Sequence, residues 1–186
     1  MISVGKVAAL PALFLFASIS YANDLEPLQY SGVREMIEDL GDFSEENGTF
    51  RVVKEDPLTV QISPKVFPNE PADNAAYEVK RAAVYAVYRT FIHTKANSIT
   101  VTAFPLQFTP GKSEVVYLKS PKVEIKTTRE KALLVINRQV SVDSFSSLTS
   151  PEKAGSMQLD HWSKGFENVY YKEPQLNKLV DSLSSN

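Results

Sequence analysis

Glu78, Arg81, Tyr85 and Arg89 recur at intervals of three, four and four residues within "YEVKRAAVYAVYRTFIHT", Tyr77 to Thr94. On a helix that spacing gathers the side chains into one stripe. A phenol between two guanidinium groups supplies several hydrogen-bond donors and positive charge, which suits a carboxylate, a phosphate or a sugar acid. Arg81, Tyr85 and Arg89 are therefore candidate ligand-binding residues. The competing reading of the same stripe is a charged outer face, with the arginines paired to Glu78 or to the acidic N-terminal segment.

The chain has two histidines, His93 and His161. His161 is a fourth candidate ligand-binding residue. Asp160 precedes it directly, but neighbours on a helix point about 100° apart, so that carboxylate does not by itself orient the imidazole. His93 stands at the end of the stripe helix, where a protonated ring would meet the helix dipole favourably in a capping or surface role.

Other chemistries lack their residues. Without cysteine, and with no His-x-x-x-His spacing, the thiolate and paired-imidazole metal sites are missing. The acids of "EDLGDFSEEN" lack the ordered ligand spacing of a calcium loop and read as a solvated face. Seven scattered glycines supply no phosphate-cradling loop, and no Gly-x-Ser-x-Gly elbow presents a serine nucleophile. No catalytic residue, metal or cofactor is expected.

The first residues suggest an address. Lys6 precedes an uncharged apolar stretch, Val7 to Phe16, and then "ASISYAND". A short positive region, an apolar run too short to span a bilayer, and small residues at Ser20 and Ala22 form the pattern of a signal peptide over residues 1–22. Removing these from the 186 leaves 164 residues, one domain with room for a core. No other segment resembles a membrane span, so the expected location is periplasmic or secreted. Without cysteine the fold depends on burial rather than disulfides.

Charge is unevenly placed. Asp24 to Asp56 holds ten acidic and three basic residues, whereas Val79 to Arg138 holds eleven basic and three acidic. Either the two segments face each other or each is solvated; a basic surface for a polyanion is the sharper alternative.

The elements that must position these residues follow from periodicity. Val33, Met36, Ile37 and Leu40 make a helix stripe, with Ser31 placed to cap it and Gly41 to stop it. "GTFRVVKEDPLTVQISP" reads as a hairpin, and Pro64, Pro68 and Pro71 enforce an extended link. In the stripe helix Val79, Ala82, Ala83, Ala86 and Thr90 form a small-residue face that lets the backbone approach a sheet. Ile99, Val101 and Ala103 alternate with polar residues as a strand, and "EVVYLKSPKVEIK" adds more strand around Ser120-Pro121. Thr127 and Glu130 stand in capping-box relation before "TTREKALLVINRQV", which reads either as a helix or as a hairpin turning through Thr128 to Lys131. "SFSSLTSPEKAGS" reads as a loop, Leu159 to Tyr170 as helical, and Leu176, Leu179, Val180 and Leu183 as a last amphipathic helix broken from the previous one by Pro174.

The result is a single α+β domain over residues 23–186, with helices packed on a mainly antiparallel sheet in the order α-β-β-α-β-β-α-α. Export, a well-formed core and the missing catalytic constellation together point to a small exported, non-enzymatic binding or adaptor protein acting on another envelope macromolecule, in the first instance a protein. The alternative is a periplasmic small-anion binder or enzyme that uses the Arg/Tyr stripe. A concave pocket into which the stripe converges would favour the second. The signal-peptide pattern itself predicts a mature N-terminus at Asn23, read by mass spectrometry of the exported form; an intact Met1 terminus in a membrane fraction would refute it.

Overall fold

The computed structural model describes residues 25–111 and 115–185; the expected signal peptide, 1–22, lies outside them. Its organising element is a helix that is buried on nearly every side. This helix, α2 (Ala72–His93), is longer than the stripe alone indicates, and every residue from Ala82 to Thr94 is buried. Its small residues allow this: Ala82, Ala83 and Ala86 are at most 2 % exposed, so neighbouring backbones approach the helix closely.

One flank of α2 is a four-stranded sheet in the order β1-β2-β4-β7. Strands β1 (Phe50–Lys54) and β2 (Thr59–Ile62) form the expected hairpin. β4 (Ser98–Ala103) lies parallel to β2 and antiparallel to β7 (Val123–Thr128). Along β4 the anticipated alternation holds, with Ile99, Val101 and Ala103 inward against Ile125 of β7 and Val60 and Ile62 of β2. A smaller sheet, β3 (Lys65–Val66), β5 (Leu106–Phe108) and β6 (Val115–Tyr117), sits beyond it. The other flanks of α2 meet α1 (Val33–Leu40), α3 (Arg129–Asn137) and α5 (Glu173–Ser184). Four of the six strand pairings among the described residues are antiparallel, as an α+β domain of this kind requires.

Several local expectations change. Residues 129–137 form the helix expected first for this segment rather than its alternative hairpin, but the cap is Thr128 rather than Thr127: its hydroxyl accepts from the Lys131 amide at 3.2 Å. Ser31 does not cap α1, whose N-cap is Gly32; the Ser31 hydroxyl instead donates to Glu35 at 2.6 Å. Gly41 does stop α1, with a φ of 74° that a side chain would resist. Pro174 opens α5 instead of merely ending α4 (Lys164–Tyr170), because the first turn of a helix needs no proline N–H.

The largest departure is at residues 149–162. The presumed loop and the start of the presumed helix form a hairpin, β8 (Thr149–Ala154) and β9 (Met157–Trp162), turning at Gly155 with φ of 65°. The alternation along β9 runs contrary to simple patterning: Asp160 and Trp162 point inward, whereas Met157, Leu159 and His161 are exposed. A charged residue in the inward register disguises the strand. Among the described residues no helix is long and apolar enough to cross a membrane.

Because Ala83 is fully buried, Ala83→Leu should overpack α2 against its neighbours and lower the unfolding free energy by about 1–3 kcal/mol. The exposed Leu134→Ala should change it by no more than about 0.5 kcal/mol. Urea denaturation of both variants checks the pair, and equal midpoints would show the helix to be wrongly placed.

Candidate functional site

Arg81, Tyr85 and Arg89 do not form an outer face. Tyr85 is 3 % exposed and Arg89 6 %, and Arg81 is half-buried. The reading of the stripe as a solvated surface fails because α2 has almost no solvated side. All three residues line one cavity of about 460 Å³, within the size range of small-molecule sites, and His161 stands at its mouth. The structure thus brings together the four residues singled out from the sequence. The remaining walls come from elements distant in the chain: Trp162 of β9, Tyr170 and Tyr171 at the end of α4, and Asp42 and Phe43 just after α1.

Arg89 is the innermost cation. Its Nη1 donates to the Asp160 backbone carbonyl at 2.7 Å and to Nε2 of His93 at 3.2 Å, while its guanidinium carbon lies 3.6 Å from the centre of the Trp162 ring. Burial pushes its pKa down, but a guanidinium stays protonated at neutral pH. Among the described residues no carboxylate pairs with it, and its Nε is buried without a partner. The Tyr85 hydroxyl is likewise buried and unpartnered. Burial, then the nearby Asp42 carboxylate, hold the Tyr85 pKa well above its ordinary value, so the phenol keeps its proton.

Arg81 is differently placed. Its Nη1 donates to both Glu78 oxygens at 3.0 and 3.1 Å, and its guanidinium lies 4.9 Å from the rings of Tyr170 and Tyr171. Its Nε, too, is buried without a partner. Three N–H or O–H donors of cavity-lining residues are therefore buried and unsatisfied, an arrangement that costs free energy.

His93 and Asp160 went unrecognised in the sequence. His93 is fully buried rather than a dipole-capping surface group, and its tautomer follows from its partners. Arginine can only donate, so Nε2 accepts; the proton then sits on Nδ1, which donates to the Leu28 carbonyl at 2.8 Å. Asp160 in turn accepts from the Leu28 amide at 2.7 Å and from Gln158 at 2.9 Å, with its Oδ2 3.6 Å from His93 Nδ1. The carboxylate beside His161 thus serves His93 instead. On a strand, adjacent side chains take opposite faces, and His161 is left outside, 3.9 Å from Glu152. The useful sequence signal was the four-residue step from Arg89 to His93; its partner on β9 could not be read locally.

The basic middle segment is partly internal. Arg129 donates from Nε to Ala96, from Nη1 to Phe91 and from Nη2 to Thr94, closing the carbonyl end of α2. With Arg89 also inside, the sequence count overstates the positive surface. Among the described residues no group of three or more histidine, aspartate or glutamate side chains is arranged to hold a metal ion. Comparison of the chain with protein-family models, with curated proteins and with solved structures finds no match.

The neutral state of His93 generates a pH dependence. Burial, supported by the Arg89 charge, lowers its pKa below the ordinary 6.5, against the raising influence of the Leu28 bond and of Asp160. The unfolded chain therefore binds this proton at higher pH than the folded one, so stability is complete above 6.5 and is lost as pH falls toward the depressed folded value. The midpoint of thermal unfolding should decline across that interval. His93→Asn, which keeps a donor for Leu28, should flatten the decline; an unchanged slope would exclude His93 as its source.

Proposed function

We propose that this chain is a small exported protein that binds a small polar ligand in the Arg89–Tyr85 cavity, with an acceptor group of that ligand, such as a carboxylate, against the buried donors. The single observation that carries the reading is that Arg89, Tyr85 and Arg81, each of which holds a buried polar side-chain atom without a hydrogen-bond partner, line one concavity. Folding leaves such groups unsatisfied at a cost of about 1–3 kcal/mol each, and an acceptor ligand would remove that cost. Aromatic walls at Trp162, Tyr170 and Tyr171 suit the apolar part of a small molecule. Export rests on Lys6, the apolar run after it and the Ser20–Ala22 site, and places the ligand in the periplasm or outside the cell.

An adaptor for an envelope protein is the second reading. What favours it is β6, an edge strand whose Val115, Val116 and Tyr117 are all exposed.

Tyr85→Phe separates the two. It removes only an unpartnered hydroxyl, so the thermal midpoint should hold or rise, whereas affinity for the acceptor ligand should fall about tenfold, the equivalent of about 1.4 kcal/mol. The measurement is calorimetric titration of wild type and variant with acetate, inorganic phosphate, glucuronate and amino acids. If wild type binds none of these, the adaptor reading replaces the first.

A further inference from the structure

The cavity has opposite electrostatic ends. Inside, Arg89 carries a positive charge without an ion-pair partner among the described residues and Tyr85 adds a neutral donor, while the buried Asp160 carboxylate that also lines the cavity is taken up by the Leu28 amide and Gln158. Arg81, the second lining cation, is already bonded to Glu78. Near the opening the signs reverse. Asp39, Asp42 and Glu167 line the cavity, and among the described residues none of them forms an ion pair; Asp39 accepts one hydrogen bond, from Tyr30 at 2.5 Å. Asp42 is exposed, yet its charge reaches inward far enough to perturb Tyr85, Arg89 and Tyr170.

A phosphate dianion fits this field badly. One uncommitted guanidinium would face two negative charges, and the carboxylates at the opening would repel what remained. A plain monocarboxylate satisfies the inner donors but leaves the acidic opening unanswered. A ligand that also carries an ammonium group satisfies both ends. Its cation would lie beside Asp42 and Asp39, where carboxylate attraction acts on it.

We propose that the ligand is a small zwitterion, an amino acid or a short peptide, bound with its carboxylate on Arg89 and Tyr85 and its ammonium toward Asp42 at the opening. This rests on the ligand-binding reading above and adds the second charge to it. Asp42 is the specificity-determining residue: it follows Gly41, whose left-handed conformation ends α1 and turns the chain toward the cavity, and Phe43 anchors the turn with its ring 5.2 Å from that of Tyr85.

The test titrates the full mature protein with matched pairs of probes that differ by one amine: alanine and propionate, γ-aminobutyrate and butyrate, ε-aminocaproate and caproate. Inorganic phosphate and butylamine complete the set. The expected result is that at least one amino acid binds tenfold or more tighter than its amine-free partner, with phosphate and butylamine weaker than either. Asp42→Asn should reduce that preference to less than threefold, with the plain carboxylate binding as tightly as or more tightly than to wild type because a repelling charge is removed, and should not lower the thermal midpoint. Carboxylates that bind as tightly as their amino counterparts would overturn the zwitterion proposal and leave the ligand-binding reading standing. A preference that survives Asp42→Asn would overturn the assignment of Asp42. If no probe binds wild type, both the proposal and the reading beneath it fall.

Discussion

The fold depends on keeping a guanidinium charge inside it. Helix α2 is buried without interruption from Ala82 to its end, and Arg89 projects from that buried part. Removing such a charge from water is costly, and the compensation here comes from neutral groups: a backbone carbonyl of β9, an imidazole nitrogen four residues along the same helix, and the face of Trp162. Each of these in turn constrains another element. To accept from Arg89, His93 must be neutral with its proton on Nδ1, which ties Leu28 across the end of α2. The Leu28 amide then fixes Asp160, and with it the register of β9 against the helix. The amide of Tyr30 adds a bond to the His93 carbonyl at 2.8 Å, a further tie between the segment before α1 and the end of α2.

Arg129 shows what a purely structural arginine does in the same protein. All three of its nitrogens are bonded, each to a carbonyl at the end of α2, and little capacity remains for anything else. Arg89 has the same charge and deeper burial but leaves its Nε without a partner, in a residue that lines a cavity together with Tyr85 and Arg81. The contrast separates an arginine spent on the backbone from one with binding capacity in reserve. A protein that needed Arg89 only to close α2 would gain by satisfying it as completely as Arg129.

Aromatic packing builds the cavity wall. Trp162, Phe166 and Tyr170 stack in succession with ring centres 4.6 to 6.0 Å apart, joining β9 to α4. Gly165, between them, has no side chain because a Cβ there would come within 2.7 Å of Val140.

How much of this was legible in the sequence depended on whether the cause was local. The α1 stripe, the hairpin of β1 and β2, the alternation of β4 and the amphipathic α5 all follow from short-range periodicity, because side-chain direction repeats with the backbone, and the α+β class followed from them. The four-residue spacing of Arg81, Tyr85 and Arg89 likewise guaranteed a common stripe wherever α2 packed. Which way that stripe faced was decided only by tertiary structure. Charge and tyrosine content resemble a solvated face, and nothing local records that β9, α4 and the residues before α1 would close over it. The same holds for β9 itself, whose inward Asp160 breaks the hydrophobic alternation, and for the pairing of His93 with a carboxylate 67 positions away. Side-chain type and spacing are properties of a few consecutive residues; burial and partnership are properties of the whole chain, because desolvation and hydrogen-bond satisfaction depend on what distant segments bring.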